Sequence, residues 1–240
     1  MTRARTIGRA CAWCAALLTA LPASVLPEEP AKEAGFMPGD RVIFFDDFTQ
    51  ADPGGFPTQW TLKGPGGGGN LLSVVSRDGR SFLASQTPPE DDEQTPSTIY
   101  ARLPGKEYLP DAFTIEFDAV LGFSRLVDDL RSERQYGIVV GAGGSSYALL
   151  DVSSQRAISR NSQSALDLGA GGTHHVAVSV QGRLVTAYID GRRVLSDPDG
   201  VERPIARIGL ELSSYKGMRQ DDLMFTGFRV AELRAQQIAR

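Results

Sequence analysis

The stretch Thr173 to Ser196, THHVAVSVQGRLVTAYIDGRRVLS, alternates apolar side chains with polar or small ones and is cut twice by a glycine-bearing dipeptide. Successive side chains of a strand point to opposite faces, so Val176, Val178 and Val180 share one side of an extended chain. Gln181-Gly182 and Asp190-Gly191 stand between the apolar runs. Glycine reaches the positive φ of a tight hairpin turn at little cost. Three strands joined by two hairpins follow, and a chain that contains them builds antiparallel sheet.

The rest of the chain repeats this grammar. RVIFFDDF, NLLSVVS, SFLAS, STIYARL, ARIGLELSS and LMFTGFRVAEL read as short strands, and YGIVVGAGG with SYALLDVSS as a hairpin about a glycine-rich turn. In FTIEFDA, Phe113, Ile115, Phe117 and Ala119 fall on one face, and Thr114, Glu116 and Asp118 on the other, solvated face. GPGGGG (64–69) and the acidic TPPEDDEQTP (87–96) have the composition of loops. SRLVDDLRSERQ is the one charged interruption, a long loop or a short helix. Roughly a dozen strands with no long amphipathic helix predict an all-β, two-sheet antiparallel sandwich.

The chain begins with Arg3, Arg5 and Arg9, an apolar run from Ala10 to Leu21, and Pro22-Ala23-Ser24. Basic start, short apolar core and small-residue exit are the parts of a secretory signal, which predicts residues 1–23 as a signal peptide, a mature chain from Ser24, and a periplasmic or extracellular address. Cys11 and Cys14 both lie inside that signal. Residues 24–39 read as a Pro/Glu/Ala-rich linker, 40–232 as the folded domain and 233–240 as a tail. Outside the signal no run of about 18 apolar residues exists to span a bilayer. The formal net charge of −4 argues against general nucleic-acid binding, which needs clustered cations to release counterions.

Four passages in this order resemble one family: DRVIFFDDFTQADPGGFPTQW, LPDAFTIEFDAVL, HHVAVSVQGRLVTAYIDGRRVLSDP and DLMFTGFRVAE. Together they resemble the concanavalin-A-like lectin/glucanase jelly rolls, laminin-G-like domains included. They are similar to the jelly-roll module that precedes OmpA-like domains in some bacterial envelope proteins. The resemblance implies a jelly roll over Asp40 to Glu232 and a glycan or an envelope protein as partner.

The resemblance also directs attention to particular side chains. Catalytic members of the fold carry Glu-x-Asp-x-x-Glu on a strand. Here Glu116-Phe117-Asp118 supplies the first part, but Leu121 stands where the second acid would be. Glu116 and Asp118 would lie about 6.6–7 Å apart along the strand, a spacing nearer an inverting than a retaining pair. Calcium is the one cofactor the resemblance suggests, and none is required. Asp46 and Asp47 of the first strand and Asp221 and Asp222 before the last could converge on it. Trp60, Tyr100, Tyr136 and Tyr147, with Tyr188 and Tyr215, are the aromatic candidates for stacking on a sugar. The neighbours His174 and His175 point to opposite faces and do not share a metal. Ser145 and Ser146 sit in no nucleophile motif, and Gly141-Ala142-Gly143 lacks the lysine and following helix of a phosphate loop. Three readings follow: a non-catalytic glycan-binding module, a glycan-cleaving enzyme using an atypical pair with Glu116 or Asp118, and an envelope scaffold for protein contact.

Overall fold

A hairpin grammar this regular closes into sheets, and the computed structural model has fifteen strands and no helix among the residues it describes, which are 35–62, 72–85, 94–105, 108–121, 137–142, 145–151, 156–159, 161–166, 168, 172–215 and 223–234. The strands are β1 (Arg41–Asp46), β2 (Trp60–Leu62), β3 (Leu72–Arg77), β4 (Arg80–Ser85), β5 (Gln94–Ala101), β6 (Ala112–Leu121), β7 (Gly137–Ala142), β8 (Ser145–Asp151), β9 (Arg156–Ile158), β10 (Gln163–Ala165), β11 (Gly172–Gln181), β12 (Leu184–Ile189), β13 (Arg192–Asp197), β14 (Gly209–Tyr215) and β15 (Leu223–Glu232). They form two antiparallel sheets. One has eight strands in the order β13-β12-β11-β6-β15-β4-β3, with β1 also paired to β15. The other has seven, in the order β10-β9-β8-β7-β14-β5-β2. The expected all-β sandwich of antiparallel sheets is the observed architecture.

The two glycine dipeptides make the turns they predict. Ile189 pairs with Arg192 across Asp190-Gly191, and both turn residues have positive φ, 52° and 76°. That is the two-residue hairpin whose twist matches the flanking strands. In the hairpin of β11 and β12 the loop is Gly182-Arg183, one residue later than the dipeptide Gln181-Gly182, because Gln181 still pairs with Leu184.

The core sits between the sheets. Phe113, Ile115, Phe117 and Ala119 of β6 are all buried in it, as their alternation predicts. Alternation fails in β15, where Phe225 and Phe228 both point inward although three residues apart. The register shifts between Thr226 and Arg229, and Gly227 there has φ 65°. A bulge inserts one extra residue and re-aims the chain beyond it.

Three boundaries differ from the sequence reading. Gly35–Gly39, assigned to the linker by composition, is seated on the eight-stranded sheet. Phe36 packs 5.3 Å from the ring of Tyr188 and 6.5 Å from that of His175. Gly39 approaches β15 so closely that a Cβ would lie 2.7 Å from the Ala231 carbonyl oxygen, which only glycine permits. The acidic loop ends earlier than its composition suggests, since Gln94, Thr95 and Pro96 already pair with β14. Among the described residues β2 reaches only residues 99–101 of β5, so none pairs with Pro96 on the side away from β14, which suits a residue without an N–H. In the tail, Leu233 is buried and donates to the Ala112 carbonyl. GPGGGG and the charged interruption at 124–135 lie outside the described residues, as does the signal segment.

Candidate functional site

Glu116 and Asp118 share the outer face of the eight-stranded sheet, as their spacing predicts. That face is not a bare solvated one at Glu116, whose side chain is 12% exposed. Arg229 of β15 donates to Glu116 Oε1 at 2.6 Å and to the Gly39 carbonyl at 2.6 Å. Thr114 Oγ1 donates to Glu116 Oε1 at 3.2 Å and accepts the Gly39 N–H at 3.1 Å. Arg80 of β4 donates to Asp118 Oδ2 at 2.8 Å, and His175 Nδ1 lies 3.1 Å from Asp118 Oδ1. His175 Nε2 stands 3.8 Å from Glu116 Oε2, so the imidazole bridges the two carboxylates. Burial pushes the Asp118 carboxyl up, but the hydrogen bonds and charges of Arg80 and His175 outweigh it and hold the group below its ordinary value. The expected pair of acids is therefore a chain of paired charges across β4, β15, β6 and β11. Both carboxylates face basic side chains, and for Asp118 these stabilise the ionised form.

The two histidines part company as adjacency in a strand predicts. His174 Nδ1 lies 2.8 Å from Asp190 Oδ2, while His175 turns to β6. Asp190 also accepts the His175 N–H, which ties the β12–β13 turn to β11.

At the opening strand, Asp46 is buried and answers two donors. Its Oδ1 accepts the Phe48 N–H and its Oδ2 the Trp60 indole N–H, each at 2.8 Å. Burial raises the Asp46 carboxyl above its ordinary value, against the lowering effect of those bonds. Asp47 accepts from the Thr49 hydroxyl and N–H, which lowers its own. Asp46 is thus spent on holding Phe48 and Trp60 in the core, while Asp47 accepts both of its bonds through Oδ1. Asp221 and Asp222 lie outside the described residues. Among the described residues no three His, Cys, Asp or Glu side chains gather where they could hold a metal ion. Trp60 is likewise corrected. At 1% exposure it is a core residue, edge-on to Phe44 and Phe228 at 5.6 and 4.9 Å, and offers no face to a sugar.

Of the other aromatic candidates, Tyr136 lies outside the described residues, and Tyr147 is described only as a position in β8. Tyr188 is part-buried beneath Phe36, and Tyr215 is described only as a position in β14. Tyr100 is different. Ile99 and Ala101 on either side of it enter the core, so Tyr100 projects from the outer face of the seven-stranded sheet and is only part-buried. Its strand neighbours form a row: Thr61 of β2, Tyr100 of β5, Gly209 of β14 and Gly141 of β7 stand opposite one another in register. Directly opposed residues of antiparallel strands share a face. The Tyr100 ring lies over Gly209, where a Cβ would come within 2.8 Å of Cδ1. Gly141 then leaves the next strand without a side chain. Arg102, two residues on from Tyr100, donates through Nε to Thr61 Oγ1 at 3.0 Å, and the Arg207 guanidinium carbon is 5.8 Å from the Tyr100 centroid. The sequence reading found Tyr100 but missed Arg102, although period two places it on the same face. Arg207 and Gly209 join the row only through strand pairing, which no local pattern reveals.

A separate cleft of about 240 Å³ opens at the sandwich edge, lined by Ser164, Leu166, Leu168, Ile189, Asp190 and Arg192 among others. No helix of the described residues is long and apolar enough to cross a membrane.

No protein-family model matches the chain, and no curated protein matches it. Solved structures do. A sialidase superposes with a TM-score of 0.50 at 16% identity, covering 81% of this chain and 19% of its own, so the chain spans about a fifth of that protein. The lectin UEA-II complexed with galactose superposes with a TM-score of 0.52 at 9% identity, over 80% of this chain and 98% of the lectin. A protein described with the endo-acting O-glycanases that gut microbes express to initiate mucin breakdown gives 0.50 at 16%, over 80% of this chain and 100% of its own. At such identities the likeness speaks for the backbone alone, and it gives this chain the lectin-like jelly-roll sandwich that those structures share.

Proposed function

We propose that this chain is a non-catalytic glycan-binding module. One observation carries the reading: on the outer face of the seven-stranded sheet a part-exposed tyrosine lies on glycine backbone, with one guanidinium over its ring and another two residues along the chain. A pyranose presents an apolar face that stacks on an aromatic ring, and its hydroxyls need donors and acceptors at the ring's edge. Thr61, Arg102 and Arg207 supply those groups, Gly209 lets the Tyr100 ring settle on the sheet, and Gly141 leaves the next position in the row without a side chain. The lectin-like fold supports the reading as analogy. The basic, apolar and small-residue run at 1–24 supports an exported protein that meets its glycan in the periplasm or outside the cell.

Binding without cleavage is supported by the state of the candidate acids. Glycoside hydrolysis needs one carboxyl to protonate the leaving oxygen and another to attack or activate water. Glu116 and Asp118 face Arg229, Arg80 and His175 on the opposite sheet from Tyr100. The test is a glycan-array screen of the full chain, with reducing-sugar release measured on every hit. Tyr100→Ala is expected to lose the hits, and no hit is expected to be cleaved. Turnover that vanishes in Glu116→Gln overturns the binding-module reading in favour of an enzyme.

A further inference from the structure

Two cations border Tyr100, and among the described residues neither faces a carboxylate. Several other arginines, Arg80, Arg183, Arg203 and Arg229, each meet an aspartate or glutamate, while Arg156 donates to Gln163. Carboxylates are not scarce, since Asp and Glu number 29 against 25 Lys and Arg. Arg102 is instead anchored by its Nε to the Thr61 hydroxyl, which leaves its terminal nitrogens to donate outward. Arg207 lies against the Tyr100 ring, an attraction that positions a guanidinium without neutralising it. Both residues are exposed.

We infer that the ligand of this row is an acidic glycan, a sugar bearing a carboxylate, an inference that rests on reading the Tyr100 row as a glycan platform. The planar fork of a guanidinium matches a carboxylate through two parallel hydrogen bonds, stronger than those of a neutral hydroxyl. In a uronate or a nonulosonate the carboxylate is attached directly to a ring carbon. A sugar ring seated beside Tyr100 then carries its charge toward Arg102, anchored on Thr61, and Arg207, which stands over the Tyr100 ring. The net charge of −4 repels a polyanion from the molecule as a whole, so capture depends on this local cationic pair.

The experiment measures binding of the full chain to polygalacturonate, a sialylated oligosaccharide, heparin, a neutral β-glucan and polyphosphate. Arg102→Gln, Arg207→Gln and Tyr100→Ala are compared with Arg77→Gln, which removes the same charge from the other sheet. A carboxylate-bearing sugar is expected to bind and the neutral glucan not. Arg102→Gln and Arg207→Gln are each expected to weaken binding about tenfold or more, with Arg77→Gln unchanged. Neutral glucan bound as well as the acidic sugars, with no effect of either arginine, overturns the acidic class and leaves the glycan reading standing. Tighter binding of heparin than of either carboxylate sugar reassigns the anion to sulfate and overturns the inference. Polyphosphate binding that ignores Tyr100→Ala shows plain ion exchange and overturns it too. Binding of no sugar at all removes both readings together.

Discussion

The outer faces of the two sheets carry charge in opposite ways. On the eight-stranded sheet Glu116, Asp118, His175, Arg80 and Arg229 answer one another across four strands, and the segment Gly35–Gly39 lies over part of the network. On the seven-stranded sheet Arg102 and Arg207 stand beside a part-exposed tyrosine and meet no acid among the described residues. A charge answered from within the chain supports the fold. A charge left unanswered is open to a partner from outside. The acids that look most chemical in sequence thus belong to the first class, and the less conspicuous Arg102 and Arg207 to the second.

The contrast predicts that stability resides in the core and the paired face, and binding in the row around Tyr100. Phe117 sets the scale. It is buried in the sandwich, stacked on Phe228 at 5.8 Å and edge-on to Phe225 at the same distance. Phe117→Ala is expected to cost about 3–5 kcal/mol in denaturant melts, because it empties core volume that the sheets cannot close. A loss below about 1 kcal/mol would mean that the register of β6 is wrong, and with it the placing of Glu116 and Asp118 on the outer face.

Arg229→Met tests the paired face itself. It leaves Glu116 12% exposed with its main cation gone, and it removes a donor from the Gly39 carbonyl. A loss of about 2–3 kcal/mol is expected, below that of a fully buried pair. Glu116→Gln should cost less, since an amide still accepts from Arg229. If Arg229→Met costs no more than a surface change, the network is ornamental and the contrast between the faces fails.

Acid titration separates the carboxylates by sign. Asp118 titrates below its ordinary value of 3.8, so the folded state binds that proton less readily than the unfolded chain does. Its contribution is complete above the ordinary value and is lost as the pH falls through the lower folded one. Asp47, Asp190 and Asp197 are lowered too and act in the same sense. Asp46 is raised and acts in reverse, contributing below 3.8 and losing that contribution as the pH rises. Four groups oppose one, so thermal stability is expected to fall from pH 5 to pH 3. Asp118→Asn should flatten that fall by about 0.5–1 kcal/mol, the range of a part-exposed pair. An unchanged slope would remove Asp118 from the paired network.

Much of the fold was legible because antiparallel strands write their own pattern. Val176, Val178 and Val180, and Phe113, Ile115 and Phe117, announce an inner face by period two alone. What was not legible depends on strands far apart in sequence. Trp60 looked like a platform until Asp46, fourteen residues earlier, proved to hold its indole N–H inside the core. Glu116 looked solvated until Arg229, 113 residues later, reached it. Phe228 broke the alternation because Gly227 bulges. Gly209 sits inside the strand run ARIGLELSS and Gly141 inside YGIVVGAGG, and only the register of β5, β14 and β7 lines them up with Tyr100.

The smallest expected effect is the most discriminating. Arg102→Gln and Arg207→Gln are each expected to change stability by about 0.5 kcal/mol or less, the usual range for exposed positions away from caps, cores and networks. The physical reason is that neither guanidinium stabilises an internal carboxylate, so removing it strands no buried charge. Arg102 gives up one exposed hydrogen bond to Thr61, and glutamine at that position can restore a bond to the hydroxyl. Arg207 gives up an exposed contact with the Tyr100 ring, which contributes about 0.5–1 kcal/mol at such sites and is offset in part by the apolar stem of glutamine packing on the same ring. Removing one positive charge from a chain of net charge −4 adds a little self-repulsion, and raised salt should erase that part. Matched thermal melts at low and high salt measure both terms. If either variant loses 2 kcal/mol or more, that arginine holds the sheet together, and the row around Tyr100 belongs with Arg229 and Glu116 among the supports of the fold. If both melt like the parent while the binding of a carboxylate sugar is lost, stability and recognition occupy opposite faces of the same sandwich.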